Sequence, residues 1–372
     1  MKFNIQSRLL LSHLTAVSKV VISKNAYAIL DNFLFELEAG RLIVTGSDME
    51  TRLTTTIETT ESEGEGKFAV DVKRMLSLLK ELPDTALTFE VNEENLDVNI
   101  SYVNGQYNIT ALNGDEYPLK QQGSTESMQF SLAPADIIDG IQHTIFAVGN
   151  DDMHPQFMGI YWDIKPDGIT FVASDSHKLV RYKKLNVAPN LERSFILPAK
   201  PASILSNILD KNEKTPVTIT IDETSATFEN GVYSLSCRFI NGRYPNYNAV
   251  IPENNPYNVQ IDRVTLLTAL RRVSVFASVG GLIKLELSAT GIVLTAQDLD
   301  HSTSAEEKLQ CDYDGAAMTM GFKNVDIIEV LNNLNSETVT IKLLDPARAG
   351  IFVPAEQAEG EDLLILQMPM MI

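Results

Sequence analysis

The sequence predicts an α+β protein in which one domain, two helices packed on antiparallel sheet, is repeated three times. An apolar pattern with helical spacing recurs about every 125 residues along the chain of 372 residues. A second helical pattern recurs at nearly the same interval, and alternating segments typical of strands follow it each time. Two helices that cover one side of antiparallel sheet define an α+β domain.

The first helix of each copy carries an apolar stripe that is expected to face the core. The three helices open at Ser7, Pro134 and Asp262. In the first copy the stripe consists of Leu10, Leu14, Val17 and Val21. Proline suits a first helical position and aspartate suits an N-cap, so these residues mark helix starts.

The second helix of each copy opens at Asp71, Pro198 or Lys323 and also has one apolar stripe. After each second helix the pattern changes to the alternation of a strand. These alternating segments are residues 85–91, 217–221 and 339–343. Each copy therefore reads as strand, helix, several strands, helix, several strands.

The boundaries between the copies fall in two segments without helix or strand periodicity. Residues 121–127 are polar with a glycine, and residues 252–256 contain prolines and asparagines. We therefore predict three domains, at residues 1–122, 128–252 and 256–372.

Composition places the chain among globular proteins. Hydrophobic residues make up 44% and charged residues 21% of the sequence. No long apolar run and no charged-then-apolar leader is present, so we expect a cytoplasmic protein that does not enter membranes.

The distribution of charge matters more than its sum. A net charge of −19 ordinarily argues against nucleic acid, because phosphates are bound by lysine and arginine. The six predicted helices together carry a net positive charge, however, so the acidic residues are concentrated elsewhere. Basic residues on a helix can be simply solvated, or they can form a face that attracts DNA.

An aspartate follows a predicted strand in every copy, at Asp48, Asp175 and Asp298. Such residues commonly form turns at strand ends. The alternative is an enzyme with a site around Asp48, Asp175 and His177, but neighbouring residues on one strand point to opposite faces. The histidines have no metal-ligand spacing and no nucleotide-binding motif occurs, so we expect no catalytic residues, no metal and no cofactor.

The C-terminal segment, residues 368–372, is unusually apolar for a chain end. Chain ends normally fray and are polar, so this one is expected to be held in place or offered to a partner. Methionine side chains suit adaptable apolar surfaces. Core packing and partner binding both remain open from the residues alone.

Five segments make the chain resemble the bacterial replicative sliding clamps, the β subunits of DNA polymerase III. They are Val44–Glu50, Val172–Leu179, Asn241–Tyr247, Tyr313–Phe322 and Met368–Met370. The resemblance extends from Met1 to the C-terminus. It implies a head-to-tail homodimer whose six domains close a ring, with helices lining the hole and sheets forming the outer wall.

The resemblance also implies a function as a DNA polymerase processivity factor. A ring around duplex DNA cannot leave sideways, so it holds a polymerase at high effective concentration while contacting phosphates weakly. The positions that match DNA-facing residues of the family are Lys24, Lys73, Arg74, Lys80 and Lys200. The runner-up hypotheses are the enzyme described above and a repeat scaffold that binds proteins but no DNA.

The family has an apolar pocket for short extended peptides of DNA polymerase III, the clamp loader, other polymerases and repair proteins. The matching positions are Phe157, Ser174, Ser176, His177, Lys178, Leu179, Pro245, Val250, Met368, Pro369 and Met370. Lys178, Ala249, Asp326 and Met371 depart from the residues common in the family. For the dimer interface, Tyr107 and Ile109 match one side, and Val275 and Phe276 match the other.

Overall fold

The computed structural model describes residues 1–22, 25–118 and 127–372. These residues form two compact units. One unit comprises Met1–Ile138 with Lys200–Phe239, and the other comprises Asp139–Ala199 with Ile240–Ile372. Helices combine with antiparallel sheets, which confirms the predicted α+β class.

The first copy contains two helices and ten strands in the described residues. They are β1 Lys2–Gln6, α1 Ser7–Ser18, β2 Asn32–Glu38, β3 Arg41–Ser47, β4 Thr51–Glu58, β5 Glu61–Glu63, β6 Gly66–Asp71, α2 Val72–Glu81, β7 Ala86–Val91, β8 Asp97–Tyr102, β9 Gly105–Thr110 and β10 Leu112–Asn113. Asp71 caps α2, because its carboxylate accepts a hydrogen bond from the Arg74 backbone N–H at 2.7 Å.

The second copy repeats this order without the short strands. Its elements are β11 Met128–Leu132, α3 Pro134–Gln142, β12 Gly159–Lys165, β13 Gly168–Ser174, β14 Lys178–Lys184, β15 Arg193–Pro198, α4 Ala199–Ile208, β16 Val217–Ile221, β17 Ser225–Glu229 and β18 Tyr233–Arg238. Pro134 is the first residue of α3, as predicted.

The third copy repeats the order once more. Its elements are β19 Tyr257–Asp262, α5 Arg263–Ser274, β20 Leu282–Ser288, β21 Gly291–Asp298, β22 Thr303–Leu309, β23 Asp312–Tyr313, β24 Met318–Lys323, α6 Asn324–Asn332, β25 Thr338–Leu343, β26 Gly350–Pro354 and β27 Glu361–Gln367. Asp262 caps α5 through the Thr265 backbone N–H at 2.7 Å, which confirms the predicted N-cap.

Every copy is itself a duplication of strand, helix and three strands. In the first copy, β1 pairs with β7 of the second half, and β6 pairs with β2 of the first half. Each half therefore gives its first strand to the sheet of the other half. This exchange ties both halves of a copy together through backbone hydrogen bonds.

Two of the sheets continue from one copy into the next. Strand β4 of the first copy pairs with β18 of the second, and β14 of the second copy pairs with β27 of the third. Each pairing produces a nine-stranded sheet. The two compact units follow these sheets, so neither corresponds to one predicted domain, and the bounds of the three predicted domains stay predictions.

The end of α1 differs from the predicted stripe. The helix ends at Ser18, and the next backbone hydrogen bonds join Val20 to Val17 and Val21 to Ser18. This tighter turn rotates the chain, so Val20 is fully buried whereas Val21 is only half-buried. Val21 therefore continues the predicted stripe only in part, beside Val17 against Gly46 of β3.

Gly140 in α3 lies directly against the ring of Phe171. A Cβ at this position would sit 2.4 Å from the Phe171 Cζ atom, and that ring is fully buried. We predict that Gly140→Ala lowers the stability of the protein by about 1–3 kcal/mol, because overpacking outweighs the better helix propensity of alanine. Thermal unfolding should therefore show a lower midpoint than in the unaltered protein. Gly280→Ala is the control, since the nearest atom there is 3.8 Å away, and an unchanged midpoint in Gly140→Ala would contradict the expected clash.

Candidate functional site

The turn between β13 and β14 is built by Asp175. One carboxylate oxygen accepts hydrogen bonds from the backbone N–H groups of His177 at 2.9 Å and Lys178 at 2.8 Å. The Ser174 hydroxyl donates to the Lys178 carbonyl oxygen at 2.8 Å, and Ser176 has a positive φ of 75°. Asp48 and Asp298 accept equivalent backbone hydrogen bonds. The predicted turn-forming role of all three aspartates is confirmed.

Lys178 is a buried cation held between two carboxylates. Its ammonium lies 2.6 Å from Asp175 Oδ2 and 3.0 Å from Glu329 Oε2 of α6. Burial by itself would lower the pKa of Lys178, but the hydrogen bonds to Asp175 and Glu329 raise it above its ordinary value. Burial would likewise raise the pKa of Asp175, yet the Lys178 ammonium and two backbone N–H groups lower it.

Leu179 lies in an apolar cluster on the opposite face of β14 from Lys178. The cluster includes Val172, Tyr244 and Leu366, and Leu179 pairs with Leu366 across the strands. The Phe157 ring meets the Tyr244 ring edge-on at 5.9 Å. These side chains form an apolar wall in which the Phe157 ring is only partly buried.

The C-terminal segment runs alongside this turn and is held by its backbone. The Met368 N–H donates to the His177 carbonyl oxygen at 2.9 Å, and the Met370 N–H donates to the Gly321 carbonyl oxygen at 2.8 Å. A Cβ on Gly321 would lie 2.8 Å from the Met370 carbonyl oxygen, so only glycine lets the segment approach β24. Met368 nevertheless keeps 42% of its surface exposed.

The segment after β18 closes another side of the cluster. The Tyr244 ring stacks on Tyr161 at 4.7 Å, and the Tyr247 hydroxyl donates to Asp163 at 3.0 Å. Pro245 and Val250 are exposed beside these buried tyrosines. A cleft of about 490 Å³ lies along the outer side of this segment.

Most of the predicted peptide-site residues fall within these contacts. The turn, Phe157, the apolar cluster and the C-terminal segment adjoin one another, and Pro245 and Val250 flank the two tyrosines. Sequence reasoning missed Tyr161, Gly321 and Glu329. No local pattern pointed to these three residues, because each acts through a residue distant in the sequence.

The predicted DNA-facing residues divide into two kinds. Lys73, Arg74 and Lys80 are exposed on α2. The Lys200 ammonium, in contrast, lies 2.6 Å from both Asp48 Oδ2 and the Val20 carbonyl oxygen. Lys24 lies outside the described residues. The charge of Lys200 is therefore already compensated by Asp48 within the chain.

Two of the predicted interface residues lie on a sheet edge, and the other two follow helix α5. Tyr107 and Ile109 are on β9, which forms the edge of a five-stranded sheet. Val275 and Phe276 follow α5 and are 79% and 40% exposed. Strand β22 forms the edge of the four-stranded sheet in the same copy as α5.

Residues 1–22, 25–118 and 127–372 contain no group of three or more histidine, cysteine or acidic side chains placed to hold a metal ion. In the same ranges no helix is both long and apolar enough to cross a lipid bilayer.

Three sequence models of one family match consecutive parts of the chain. The N-terminal domain of the DNA polymerase III beta subunit matches residues 1–121, its central domain matches 131–246 and its C-terminal domain matches 248–371. The beta sliding clamp of Synechococcus elongatus is 28% identical over 342 residues, 89% of each chain. That of Pseudomonas aeruginosa is 25% identical over all of both chains.

Solved structures show the same fold. The sliding clamp of Pseudomonas aeruginosa bound to griselimycin superimposes with a TM-score of 0.94 over all of both chains, at 23% identity. The beta subunit from Thermotoga maritima gives a TM-score of 0.91 at 23% identity, covering 100% of this chain and 99% of that one. At such identities the similarity establishes the fold alone.

Proposed function

Because the chain belongs to the family of the DNA polymerase III beta subunit, as its resemblance implied, we propose that it is a cytoplasmic processivity factor. Two copies join head to tail around duplex DNA and tether DNA polymerase III and other replication and repair proteins. The observation that carries this proposal is a strand pairing that occurs twice within the chain. The two strands equivalent to its members, one in the first copy and one in the third, are sheet edges that a second chain can pair with.

Within the chain, the third of the three strands in the first half of one copy pairs with the third of the three strands in the second half of the next copy. The short strands β5, β10 and β23 are not counted here. The pairs are β4 with β18 and β14 with β27. By this rule β22 of the third copy requires a partner equivalent to β18 and β27. Strand β9 is that equivalent, and in the described chain both β9 and β22 are sheet edges. Joining them between two chains closes the array with twofold symmetry.

An equivalent position beyond each first helix supports the same seam. Val20, Ala147 and Phe276 lie at the same distance along the chain from the first residues of α1, α3 and α5. The backbone N–H of each donates a hydrogen bond to the carbonyl oxygen three residues earlier. Val20 and Ala147 are fully buried, whereas Phe276 is 40% exposed. Phe276 is therefore exposed at a position that is buried in the first two copies, as expected if a second chain covers it.

The internal pairings also predict the register of the seam. Leu53 faces Leu235 and Val180 faces Ile365, and all four side chains are fully buried. Tyr107 is the counterpart of Leu235 and Ile365. Each of the three pairs with a buried residue of the preceding strand, namely Ile100, Phe228 and Phe352 in that order. Ala305 is the counterpart of Leu53 and Val180, by its pairing with Ala296. We therefore propose that Tyr107 faces Ala305 of a second copy.

The basic helix residues are proposed to attract DNA without sequence preference. Lys73, Arg74 and Lys80 are exposed on one helix of a chain whose net charge is −19. A few phosphate contacts suffice for a ring, because topology rather than affinity prevents dissociation. Lys24 belongs to this proposal from the sequence. The contribution of Lys200 is expected to be smaller, since Asp48 already compensates its charge.

The turn, the apolar cluster and the C-terminal segment are proposed to bind short partner peptides. Leu179, Phe157 and Met370 supply apolar anchors, and exposed backbone beside them can pair with an extended chain. We propose that the protein acts without catalysis of its own. The carboxylates of Asp48 and Asp175 are engaged in turn hydrogen bonds and ion pairs, so neither is poised as an acid or base.

Retention on circular DNA tests the proposal. The labelled protein is loaded onto a nicked circular plasmid by its clamp loader, separated from unbound protein by gel filtration, and the plasmid is then cut once. We expect the protein to stay on the circle and to be released on cutting. Linear DNA with both ends blocked by bound protein is the control and should restore retention. Equal retention on open linear DNA would indicate ordinary electrostatic binding and contradict the proposal.

A further inference from the structure

One lysine joins the second copy to two parts of the first copy. The Lys200 ammonium of α4 lies 2.6 Å from Asp48 Oδ2, and it donates a hydrogen bond to the Val20 carbonyl oxygen at 2.6 Å. Asp48 belongs to the turn between β3 and β4, and Val20 belongs to the turn that follows α1. The junction of the two copies therefore combines the pairing of β4 with β18 and this lysine bridge.

The third copy presents the same two acceptors beside its open sheet edge. Asp298 is its turn aspartate, and the Asp298 side chain is 14% exposed, compared with 11% for Asp48. Phe276 occupies the position of Val20 in this copy, so its carbonyl oxygen is the counterpart of the second acceptor. A second chain that pairs with β22 meets these groups as α4 meets those of the first copy.

Lys73 of the first copy is the counterpart of Lys200. Each is the second residue of its helix, α2 or α4. The strands before the two helices give the same alignment. Phe68 pairs with the fourth residue of β2, Phe195 pairs with the fourth residue of β12, and each phenylalanine lies five residues before its lysine. The Lys73 side chain is exposed in the described chain.

The junction of the second and third copies shows why this lysine is not needed everywhere. Val325 occupies the helix position there, and the turn aspartate Asp175 pairs instead with Lys178 of its own turn. In the third copy Asp298 accepts a hydrogen bond from His301 of its own turn at 2.8 Å. A neutral imidazole adds no positive charge, and a carboxylate oxygen can accept a further hydrogen bond. The charge of Asp298 therefore stays open to a lysine.

We propose that Lys73 of one chain bridges Asp298 and the Phe276 carbonyl oxygen of a second copy. The inference rests on the proposed head-to-tail dimer and adds a charged contact to its seam. Because Lys73 lies in the first copy and Asp298 in the third, the contact favours joining of unlike ends over joining of like ends.

This contact changes the role expected for Lys73. The resemblance places Lys73 among the DNA-facing residues, but in the closed ring Asp298 compensates its charge, as Asp48 compensates that of Lys200. Arg74 then remains exposed beside it on α2 without a counterpart of this bridge, since Pro201 holds the equivalent position in α4.

Charge reversal tests the bridge. Lys73→Glu places a carboxylate opposite Asp298 at both seams, so the dimer dissociation constant at low salt and without DNA should rise by about tenfold or more. Adding Asp298→Asn should recover about threefold or more, because the amide removes the repulsion while its oxygen still accepts the turn hydrogen bonds. Lys214→Glu is the matched control, since it makes the same charge change at an exposed loop position of the second copy. Sedimentation equilibrium measures all four chains.

Neutral substitutions separate the pair from a general effect of charge. We expect Lys73→Met to raise the dissociation constant by about three- to tenfold, and the Lys73→Met, Asp298→Asn double variant to be no weaker than Lys73→Met alone. At about 0.5 M salt the effect of Lys73→Met should shrink, because exposed charges are screened. The thermal midpoint should stay unchanged in Lys73→Met, since this side chain is exposed within the chain.

The outcomes separate this inference from the proposed function. If Phe276→Asp dissociates the dimer but Lys73→Glu does not weaken it, the lysine bridge is overturned and the seam stands. If neither substitution changes the dimer, the seam itself is misplaced. Additive effects of Lys73→Met and Asp298→Asn would also overturn the bridge, because the two residues would then act independently.

Discussion

Replacing Phe276 with aspartate is expected to convert the dimer into monomers. Phe276 occupies the position at which Val20 and Ala147 are fully buried within the chain. A carboxylate buried there without a partner costs on the order of 2–4 kcal/mol at each seam. A head-to-tail dimer has two identical seams, so one substitution acts twice, and the dissociation constant should rise by at least about 1,000-fold. Sedimentation equilibrium at micromolar concentrations measures the change.

A matched substitution on the same helix separates this effect from a general effect of charge. Val264 lies on α5, is 51% exposed and is no part of the proposed seam. Val264→Asp should leave the dimer intact. If the Phe276→Asp variant keeps the dimer mass over the whole concentration range, the seam lies elsewhere.

A disulfide provides an independent check of the register. With Tyr107→Cys and Ala305→Cys in one chain, the proposed register places the two thiols opposite each other across the seam. Oxidation should then give covalent dimers, whereas either single variant should remain monomeric on a denaturing gel. Absence of the covalent dimer from the double variant would contradict the proposed register, even if the same two strands form the seam.

The double substitution of Leu179 and Met370 by alanine is expected to weaken peptide binding by about 30-fold or more. Leu179 is a buried member of the apolar cluster, and Met370 belongs to the C-terminal segment, where the Gly321 backbone holds it. Truncating two central apolar anchors removes roughly 2–4 kcal/mol of binding free energy. Anisotropy titration with a labelled short peptide of leucine, phenylalanine, serine and one glutamine measures the loss, and the dimer mass should not change.

Loss of stability has to be distinguished from loss of contact in this variant. Leu179→Ala alone is expected to lower stability by about 2–4 kcal/mol, as for other buried leucines. Leu363→Ala is the control, because Leu363 is equally buried but lies on β27 outside the apolar cluster. Peptide binding that is equally weak in both variants would show that the effect is destabilisation rather than a lost site.

Local patterns in the sequence were sufficient for the elements and their repetition. Helix starts at Ser7, Pro134 and Asp262 agree with the structure within one residue, because capping and proline geometry act over a few neighbouring residues. The alternating segments after the second helices are strands β7, β16 and β25. The turn role of Asp175 followed for the same reason, since its hydrogen bonds reach only two and three residues ahead.

Arrangements that join distant residues could not be predicted in this way. The Val20 position depended on how α1 ends, and the pairing of β4 with β18 joins residues far apart in the sequence. The candidate site shows the same division. The resemblance gave Lys178 as a site residue, but its pairing with Glu329 depends on how α6 packs against β14.

The sequence by itself determined the class of domain, its threefold repetition and the turns at the strand ends, because periodicity and capping are properties of short segments. Tertiary structure decided which strand edges remain open, which lysine charges are already compensated and which apolar residues stay accessible. Burial and Coulomb interaction both depend on the distance between side chains. For residues far apart in the sequence, folding alone sets that distance.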